Sequence, residues 1–294
     1  MYISPASDRC FSALWLQQEM MFQKLFNRIV QPKAGVPAER PAALAAEIDV
    51  DVVARNDEMS GWFNHETGEI LPGFGASGSD TVLDVGCGDS PRSMFLGAKA
   101  GVIILADLLP QNVEAAAAKL RATGAREVRT IVGDSNPLPI ESASVTRIIA
   151  SEVLEHVPDP EQFVAELVRV GRPGALYLFS VPHESSERAQ QSIAAPAYFE
   201  APNHVRVFDE EAFARLIEKA GLVIERRMRY GFYWTIWWCF FWACKQDLSP
   251  PWHPLLDSWT RTWGLLLSTG QGGQIQAALD NALPKSQIII ARKP

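Results

Sequence analysis

The alternation of short β-type runs with helix-type apolar spacing from Thr81 onward is the feature that most restricts the fold of this chain. Successive strand and helix units favour a parallel α/β sheet, because parallel strands need a crossover connection between them. The pattern therefore predicts an α/β fold with a seven-stranded, mostly parallel sheet flanked by helices. The predicted strands are Thr81–Val85, Gly101–Asp107, Glu127–Val132, Val145–Ser151, Ala175–Val181, Leu222–Tyr230 and Ser286–Arg292.

Two of the predicted crossover helices carry clear end signals. Asp159 is a typical N-cap, followed by Pro160 at the first helical position and Gln162 at the third. A later helix begins at Asp209 and ends at Gly221, a residue type that readily takes the left-handed conformation. These signals place helices immediately before the fifth and sixth strands.

The composition changes on both sides of this α/β pattern. Apolar residues recur at helical spacing over residues 11–30, and a proline- and alanine-rich stretch follows over residues 31–45. Most of the nine tryptophans lie between the sixth and seventh predicted strands. We therefore predict an N-terminal helical extension and linker over 1–75, an α/β core over 76–230, an aromatic-rich insertion or lid over 231–285, and the last core strand over 286–294.

Charge and cysteine usage restrict the class of protein. A net charge of −7 and a pI near 5.3 argue against a general nucleic-acid binder, so no nucleic-acid partner is expected. The N-terminus lacks the pattern of a secretory signal. The lack of that pattern, together with scattered thiols that form no CxxC pair, predicts a cytoplasmic protein with reduced cysteines. The cysteines are Cys10, Cys87, Cys239 and Cys244.

The segment 82–90 reads as a buried strand that runs into a glycine-rich turn, with a helix predicted near Pro91. Such a turn is expected to present backbone N–H groups to a ligand. Pro91 stands where a dinucleotide-binding GxGxxG turn has its third glycine. The Asp84 carboxylate would repel a pyrophosphate but suits the cationic amino group of S-adenosylmethionine. We therefore predict that this cofactor contacts Asp84, Gly86, Cys87 and Gly88.

Two further acids follow predicted strands in order. Asp107 closes an apolar run nineteen residues after Gly88, at a position where an acid can bind both ribose hydroxyls. Asp134 follows the third strand, within reach of the adenine amino group. Three acids at successive strand ends are a much stronger signal than a lone GxG. The remaining predicted cofactor contacts are Leu108, Ser135 and Ser151.

Residues 81–181 and 203–230 resemble class I methyltransferases of the type 11 group. The resemblance rests on the glycine-rich turn and the strand-end acids, and on Asp134-Ser135 followed by Leu138-Pro139. It extends to the stretch from Glu152 to Pro160, which is similar to ubiquinone-biosynthesis O-methyltransferases. The similarity covers about half of the chain and implies a Rossmann-like fold. The chain departs from the family at Ser90, where many members keep a third glycine, and at Val145-Thr146, which replaces the usual Phe-Asp.

The resemblance implies an enzyme that transfers a methyl group from S-adenosylmethionine. We predict an oxygen of an apolar small molecule or lipid-like compound as the acceptor. Three alternatives stay open: a catalytically degenerate methyltransferase-like binding or membrane-associated module, an NAD-dependent oxidoreductase, and methyl transfer to RNA. The missing third glycine disfavours the oxidoreductase, and the net negative charge of the chain disfavours an RNA substrate.

A divalent cation site is a second prediction. Glu152, Glu155 and His156 are spaced to share one face if their segment turns helically. In small-RNA 2′-O-methyltransferases a similar motif with a later histidine binds magnesium or manganese, and His204 matches that histidine here. The alternative is that Leu154 and its neighbours pack beneath the cofactor and cap the next helix.

Methyl transfer to a hydroxyl needs a group that accepts the proton, and imidazoles titrate near neutral pH. The candidates, in order of preference, are His204, His156 and His183.

The aromatic run over 232–242 is apolar on every side if it is helical. Three interpretations remain open: a lid or subdomain that packs on the N-terminal helices, a pocket for a lipid-like acceptor, and a peripheral membrane contact. The run is too short to span a bilayer.

Overall fold

The computed structural model describes residues 59–64, 67–89, 91–135, 137–200, 203–245 and 253–294. The predicted N-terminal helix over 11–30, the linker over 31–45, Cys10 and Ser90 lie outside these ranges.

Within the described ranges the chain forms a seven-stranded sheet in the order β3-β2-β1-β4-β5-β7-β6. The first five strands pair in parallel, and β7 runs antiparallel to both of its neighbours. The predicted fold class is confirmed. The observed strands are β1 Thr81–Val85, β2 Val102–Asp107, β3 Val128–Val132, β4 Val145–Ser151, β5 Gly171–Pro182, β6 Val223–Tyr230 and β7 Ser286–Arg292.

The helices follow the predicted alternation. They are α1 Pro110–Ala122, α2 Pro160–Val170, α3 Glu184–Gln190, α4 Glu210–Lys219, α5 Phe232–Ala243, α6 Pro254–Leu267 and α7 Gly272–Ala282. Two short 3-10 helices, Arg92–Leu96 and Pro196–Phe199, complete the set in the described ranges. The helix expected near Pro91 is thus a single 3-10 segment of five residues, with Pro91 at its N-cap.

The predicted end signals operate as expected. The Asp159 carboxylate accepts the Gln162 N–H at 3.0 Å at the start of α2, and the Asp209 carboxylate accepts the Ala212 N–H at 2.6 Å at the start of α4. Gly221 follows α4 with a φ of 85°, in the left-handed region. Asp159 and Asp209 thus fix where α2 and α4 begin, and Gly221 marks where the chain turns from α4 toward β6.

The central strands are buried on both faces. In β1, Leu83 belongs to the apolar cluster that includes Leu167 of α2 and Phe213 of α4, while Val82 belongs to the cluster that includes Leu120 of α1. Helices therefore cover both faces of the sheet, as parallel strands require. A ligand site of these central strands is therefore expected at the strand ends.

Helices α5, α6 and α7 lie between β6 and β7 and form a third apolar cluster. Its fully buried rings include Trp237, Trp238 and Trp263, and Met59 packs with them. Every described tryptophan of this insertion is buried or half-buried. In the described part of the chain, none of the helices combines the length and apolarity needed to cross a membrane.

Candidate functional site

The connections after β1 and β4 leave in opposite directions, which opens a crevice between their carboxyl ends. In open α/β sheets ligands bind at this switch point. The glycine-rich turn follows β1, and the segment from Glu152 to Pro160 follows β4. The topology therefore brings the two predicted motifs to the same crevice.

Asp84 lies near the end of β1 and is 2% exposed. Its carboxylate accepts the Ser93 N–H at 2.8 Å. Burial raises the pKa of Asp84 to about 6, and the bond from Ser93 opposes that rise. Ionising this buried carboxylate therefore costs free energy, and a cationic ligand group beside it would lower that free-energy cost.

The glycine-rich turn is held by the end of β2. Gly86 and Cys87 donate their N–H groups to the Ala106 carbonyl at 2.8 and 3.2 Å. Gly88 donates its N–H to the Asp107 carboxylate at 3.0 Å. The expectation that the turn presents its N–H groups to a ligand is wrong for these three, because β2 already accepts them. A pyrophosphate would need such donors, and these three residues do not supply them.

Gly86 also has a steric reason to be glycine. Its φ is 64°, and a Cβ placed there would lie 2.4 Å from Cγ2 of Val153. Val153 and the fully buried Leu154 thus pack beneath the turn. This agrees with the packing part of the alternative interpretation for this segment, although Asp159 rather than this segment caps α2.

Asp107 connects three pieces of backbone at the end of β2. Besides the Gly88 N–H, its carboxylate accepts the Leu109 N–H at 2.9 Å and the Asn112 side-chain amide at 3.2 Å. Burial raises its pKa, and the two backbone N–H groups act against that rise. Asp107 therefore orders the turn and the start of α1, and its ribose-binding role stays a prediction.

Two aliphatic side chains flank this acid on the open edge. Leu108 is 65% exposed and Val132, at the end of β3, is 55% exposed. Asp107 pairs with Val132 in the sheet register, so the exposed Leu108 and Val132 side chains lie at the ends of the neighbouring strands β2 and β3. Asp134 is exposed beyond them, while Ser135 is buried with a φ of 61°. The edge thus offers apolar surface beside polar groups, which suits a flat heterocycle.

The segment after β4 is not helical. Glu152 has a φ of 55°, and residues 154–156 form a turn in which the His156 N–H donates to the Val153 carbonyl at 3.0 Å. The left-handed residue breaks the predicted i, i+3, i+4 face. Glu152 instead accepts the Ser180 hydroxyl at 2.9 Å and lies 3.7 Å from Lys285 Nζ. Ser151 also bonds the Ser180 hydroxyl, at 2.9 Å.

Three of the four predicted metal ligands nevertheless come together. One donor atom from each of Glu155, His156 and His204 lies within 4.8 Å of the other two. Glu155 is 1% exposed, and within the described ranges neither of its carboxylate oxygens has a hydrogen-bond partner. Burial, assisted by the nearby Glu152 and Glu187 charges, raises the pKa of Glu155 well above its usual range.

The two imidazoles of this cluster are oriented by hydrogen bonds at Nδ1. His204 Nδ1 lies 2.9 Å from the Glu187 carboxylate, and His156 Nδ1 lies 3.0 Å from the Asn203 carbonyl. Because a carbonyl and a carboxylate only accept, Nδ1 of each ring carries the proton. Nε2 is therefore the atom of each ring that can bind a proton or a metal ion, and His156 Nε2 lies 3.7 Å from Glu155 Oε1.

Glu187 is the functional neighbour that the sequence pattern does not reveal. It lies on α3, where Tyr198 donates its hydroxyl to the carboxylate at 3.2 Å and Lys285 Nζ approaches to 3.8 Å. Although burial opposes ionisation, the bond from His204 leads the effects that lower the pKa of Glu187 below its usual value. Because α3 is short and polar, its sequence contains no pattern that would predict Glu187 beside His204.

The structure places His183 outside the cluster. It caps the start of α3 by accepting the Ser185 N–H at 3.1 Å, and its Nε2 lies 3.2 Å from Glu210 Oε1. His183 thus connects α3 to α4, which weakens its candidacy as a base.

An aromatic wall joins the histidine cluster to the insertion. The Tyr198 ring centroid lies 4.3 Å from that of His204 and 5.4 Å from that of Trp242 on α5. Trp242 in turn donates its indole N–H to Gln190 of α3 at 3.0 Å. The insertion therefore borders the site as well as forming its own core.

Comparison with known proteins agrees with this geometry. Residues 83–179 match the model of a methyltransferase domain of the type 11 family. A Mycolicibacterium smegmatis protein that carries the name "Probable S-adenosylmethionine-dependent methyltransferase" is 31% identical over 57% of this chain and 62% of its own length. The ubiquinone biosynthesis O-methyltransferase of Paracidovorax citrulli is 28% identical over 40% of this chain and 50% of its own length.

The match to each of these relatives spans less than two thirds of the relative's length. A solved geranyl diphosphate methyltransferase in complex with S-adenosylmethionine shares the fold, with a TM-score of 0.50 and 17% identity over 74% of this chain and 80% of that one. The strand order and the strand-end motifs agree with the match of residues 83–179 to a type 11 methyltransferase domain, and the chain shares the fold of that solved methyltransferase.

Proposed function

We propose that the protein transfers the methyl group of S-adenosylmethionine to an oxygen of an apolar small molecule or lipid-like compound. The observation that carries the proposal is the crevice between β1 and β4. There the segment after β4 packs on the glycine-rich turn through Val153 and carries Glu155 and His156 of the histidine cluster. The crevice thus has one side suited to a cationic nucleoside and another suited to an apolar acceptor.

On the cofactor side, the buried Asp84 carboxylate would bind the amino group of the methionine moiety. Asp107 would accept from the ribose at Oδ2, which accepts one N–H from Gly88, because Oδ1 already accepts from Leu109 and Asn112. Leu108 and Val132 would cover the adenine faces, and Asp134 would accept from the adenine amino group. The turn N–H groups are bonded to β2, which supports a cofactor without a pyrophosphate.

On the acceptor side, the rings of Tyr198 and Trp242 border the histidine cluster. Such a wall favours an acceptor with a large apolar part. The relative from P. citrulli is named for an O-methylation in ubiquinone biosynthesis, which supports the choice of oxygen. The burial of the described insertion tryptophans supports a packing or pocket role for the insertion over a membrane contact.

In the proposed step an acceptor oxygen lone pair forms the new C–O bond while the C–S bond breaks and its electron pair stays on sulfur. The product is S-adenosylhomocysteine. The hydroxyl proton passes to Nε2 of His204, the preferred base, because Glu187 holds the Nδ1 proton and stabilises the resulting imidazolium. A divalent cation at the predicted site would take the Nε2 lone pair of His204 as a ligand, so it would replace His204 as the base and would instead lower the pKa of the hydroxyl.

The test uses S-adenosylmethionine with a tritiated methyl group and a panel of apolar phenols and alcohols matched with amines of the same skeleton. We expect label in the ether products and a large loss of that transfer in the His204→Gln variant. The same substitution at His253, an exposed residue at the N-cap of α6 and outside the cluster, serves as the matched control. Label confined to the amines would contradict the choice of oxygen, and label confined to polar acceptors would contradict the apolar assignment.

A further inference from the structure

The cluster of Glu155, His156 and His204 is built like a metal site. Each side chain supplies one donor atom within 4.8 Å of the others. The three donors come from two separate segments, the turn after β4 and the stretch before α4, which the fold brings to one end of the sheet.

The buried Glu155 carboxylate indicates that a ligand is needed at this position. A buried polar group without a hydrogen-bond partner costs roughly 1–3 kcal/mol, and more when it is charged. Glu155 is 1% exposed, and both of its oxygens lack a hydrogen-bond partner among the described residues. A bound cation would supply that partner.

The surroundings of the imidazoles match those of metal-binding histidines. Such histidines almost always donate their other ring N–H to a carboxylate or a carbonyl, which fixes the tautomer and the ring plane. His204 makes this contact with Glu187 at 2.9 Å, and His156 makes it with the Asn203 carbonyl at 3.0 Å. Tyr198 and Lys285 in turn hold Glu187.

The donor chemistry identifies the class of ion. Magnesium prefers oxygen ligands and keeps several waters, whereas two imidazoles and one carboxylate suit zinc and other divalent transition ions. Around a tetrahedral zinc ion, ligand atoms about 2.0–2.1 Å from the metal lie about 3.3 Å apart. Glu155 Oε1 and His156 Nε2 are already at 3.7 Å, and all three donor atoms lie within 4.8 Å of one another, so binding requires the donors to move closer together by about an ångström.

We propose that Glu155, His156 and His204 bind one divalent transition-metal ion of the zinc type, with Glu187 and the Asn203 carbonyl as outer partners. The site differs from the magnesium or manganese site predicted from sequence, because Glu152 is turned to Ser180 and Lys285. Binding does not depend on the proposed function, but its role in methyl transfer rests on that function. The open coordination position would hold the acceptor oxygen, and the hydroxyl proton would leave to solvent in place of transfer to His204.

The test is calorimetric titration of the EDTA-treated, chelator-free protein with ZnCl₂, and separately with MgCl₂. We expect saturable binding of one Zn²⁺ per chain and at least about 100-fold weaker binding of Mg²⁺. Substitution of CoCl₂ gives an independent signal, since Co²⁺ held by two imidazoles and a carboxylate absorbs visible light more strongly than the hydrated ion.

The variants locate the site. Glu155→Gln removes the charged ligand, Glu187→Gln weakens only the outer partner, and His253→Gln, at the exposed N-cap of α6, is a matched control outside the cluster. We expect a loss of Zn²⁺ affinity of more than about 100-fold for the first, about 10–100-fold for the second, and no change for the third.

Absence of stoichiometric Zn²⁺ binding to the unsubstituted protein would overturn the proposal, as would Zn²⁺ binding unchanged by Glu155→Gln in a variant with native circular dichroism. Tighter binding of Mg²⁺ than of Zn²⁺ would also overturn it. Titration with S-adenosylhomocysteine in the same preparations separates the two proposals, because loss of metal binding with intact cofactor binding refutes this one alone.

Discussion

Replacing Asp84 with asparagine tests the electrostatics of the cofactor crevice. Burial raises the pKa of Asp84 from 3.8 to about 6. Between those pH values the folded protein binds the proton more tightly than the unfolded chain, so stability falls as pH rises through the window. A shift of about two units at about 1.4 kcal/mol per unit amounts to a loss of about 3 kcal/mol by pH 7.

The Asp84→Asn variant lacks this titration. Its free energy of unfolding relative to the unsubstituted protein should therefore rise by about 2–3 kcal/mol between pH 4 and pH 7, with most of the change below pH 6. Urea unfolding of both proteins across this range measures the difference, and contributions common to the two proteins cancel. A stability difference that is independent of pH would refute the assignment of a buried, costly charge to Asp84.

The same substitution separates stability from binding. Loss of a charge-assisted hydrogen bond to the cofactor amino group, worth roughly 1.5–3 kcal/mol, should weaken binding of S-adenosylhomocysteine about 10–100-fold at pH 7. Calorimetry on the variant measures this directly. Unchanged affinity in a variant with native circular dichroism would remove Asp84 from the cofactor site.

Three further substitutions test separate parts of the structure. Asp107→Ala should weaken S-adenosylhomocysteine binding at least about 10-fold in calorimetry, and unchanged affinity would exclude its ribose role. Gly86→Ala forces a Cβ against Val153 at a left-handed residue, so urea unfolding should show a loss of about 1–3 kcal/mol, part of which Val153→Ala restores. Trp237→Ala leaves a cavity in the apolar cluster around α5, so the free energy of unfolding should fall by about 3–5 kcal/mol in the same assay. A loss below about 1 kcal/mol would contradict the described packing.

The strand ends were accessible to sequence reasoning because their signals are local. Asp84, the glycine turn and Asp107 follow apolar runs that define their own strands, and the observed strands β1, β4 and β7 have the predicted bounds. A parallel sheet then places successive strand ends on one edge without further information.

The histidine cluster depends on contacts that are distant in sequence. Glu187 reaches His204 only because the fold brings α3 beside the stretch before α4, and no periodicity in the chain marks this contact. The left-handed Glu152 breaks a spacing that suggested a helical face, since the conformation of a non-glycine residue is set here by its bonds to β5. The hydrogen bonds from the Gly86 and Gly88 N–H groups to β2 likewise depend on how the chain folds, and the sequence alone does not reveal them.

The cofactor assignment is tested most directly by calorimetric titration of the purified protein with S-adenosylhomocysteine, with NAD as a parallel control, before and after EDTA treatment. Saturable binding of S-adenosylhomocysteine and none of NAD is the predicted result, with the metal state affecting the acceptor side only. Saturable binding of NAD, or no binding of S-adenosylhomocysteine in either metal state, would contradict the assignment of the crevice between β1 and β4 to S-adenosylmethionine.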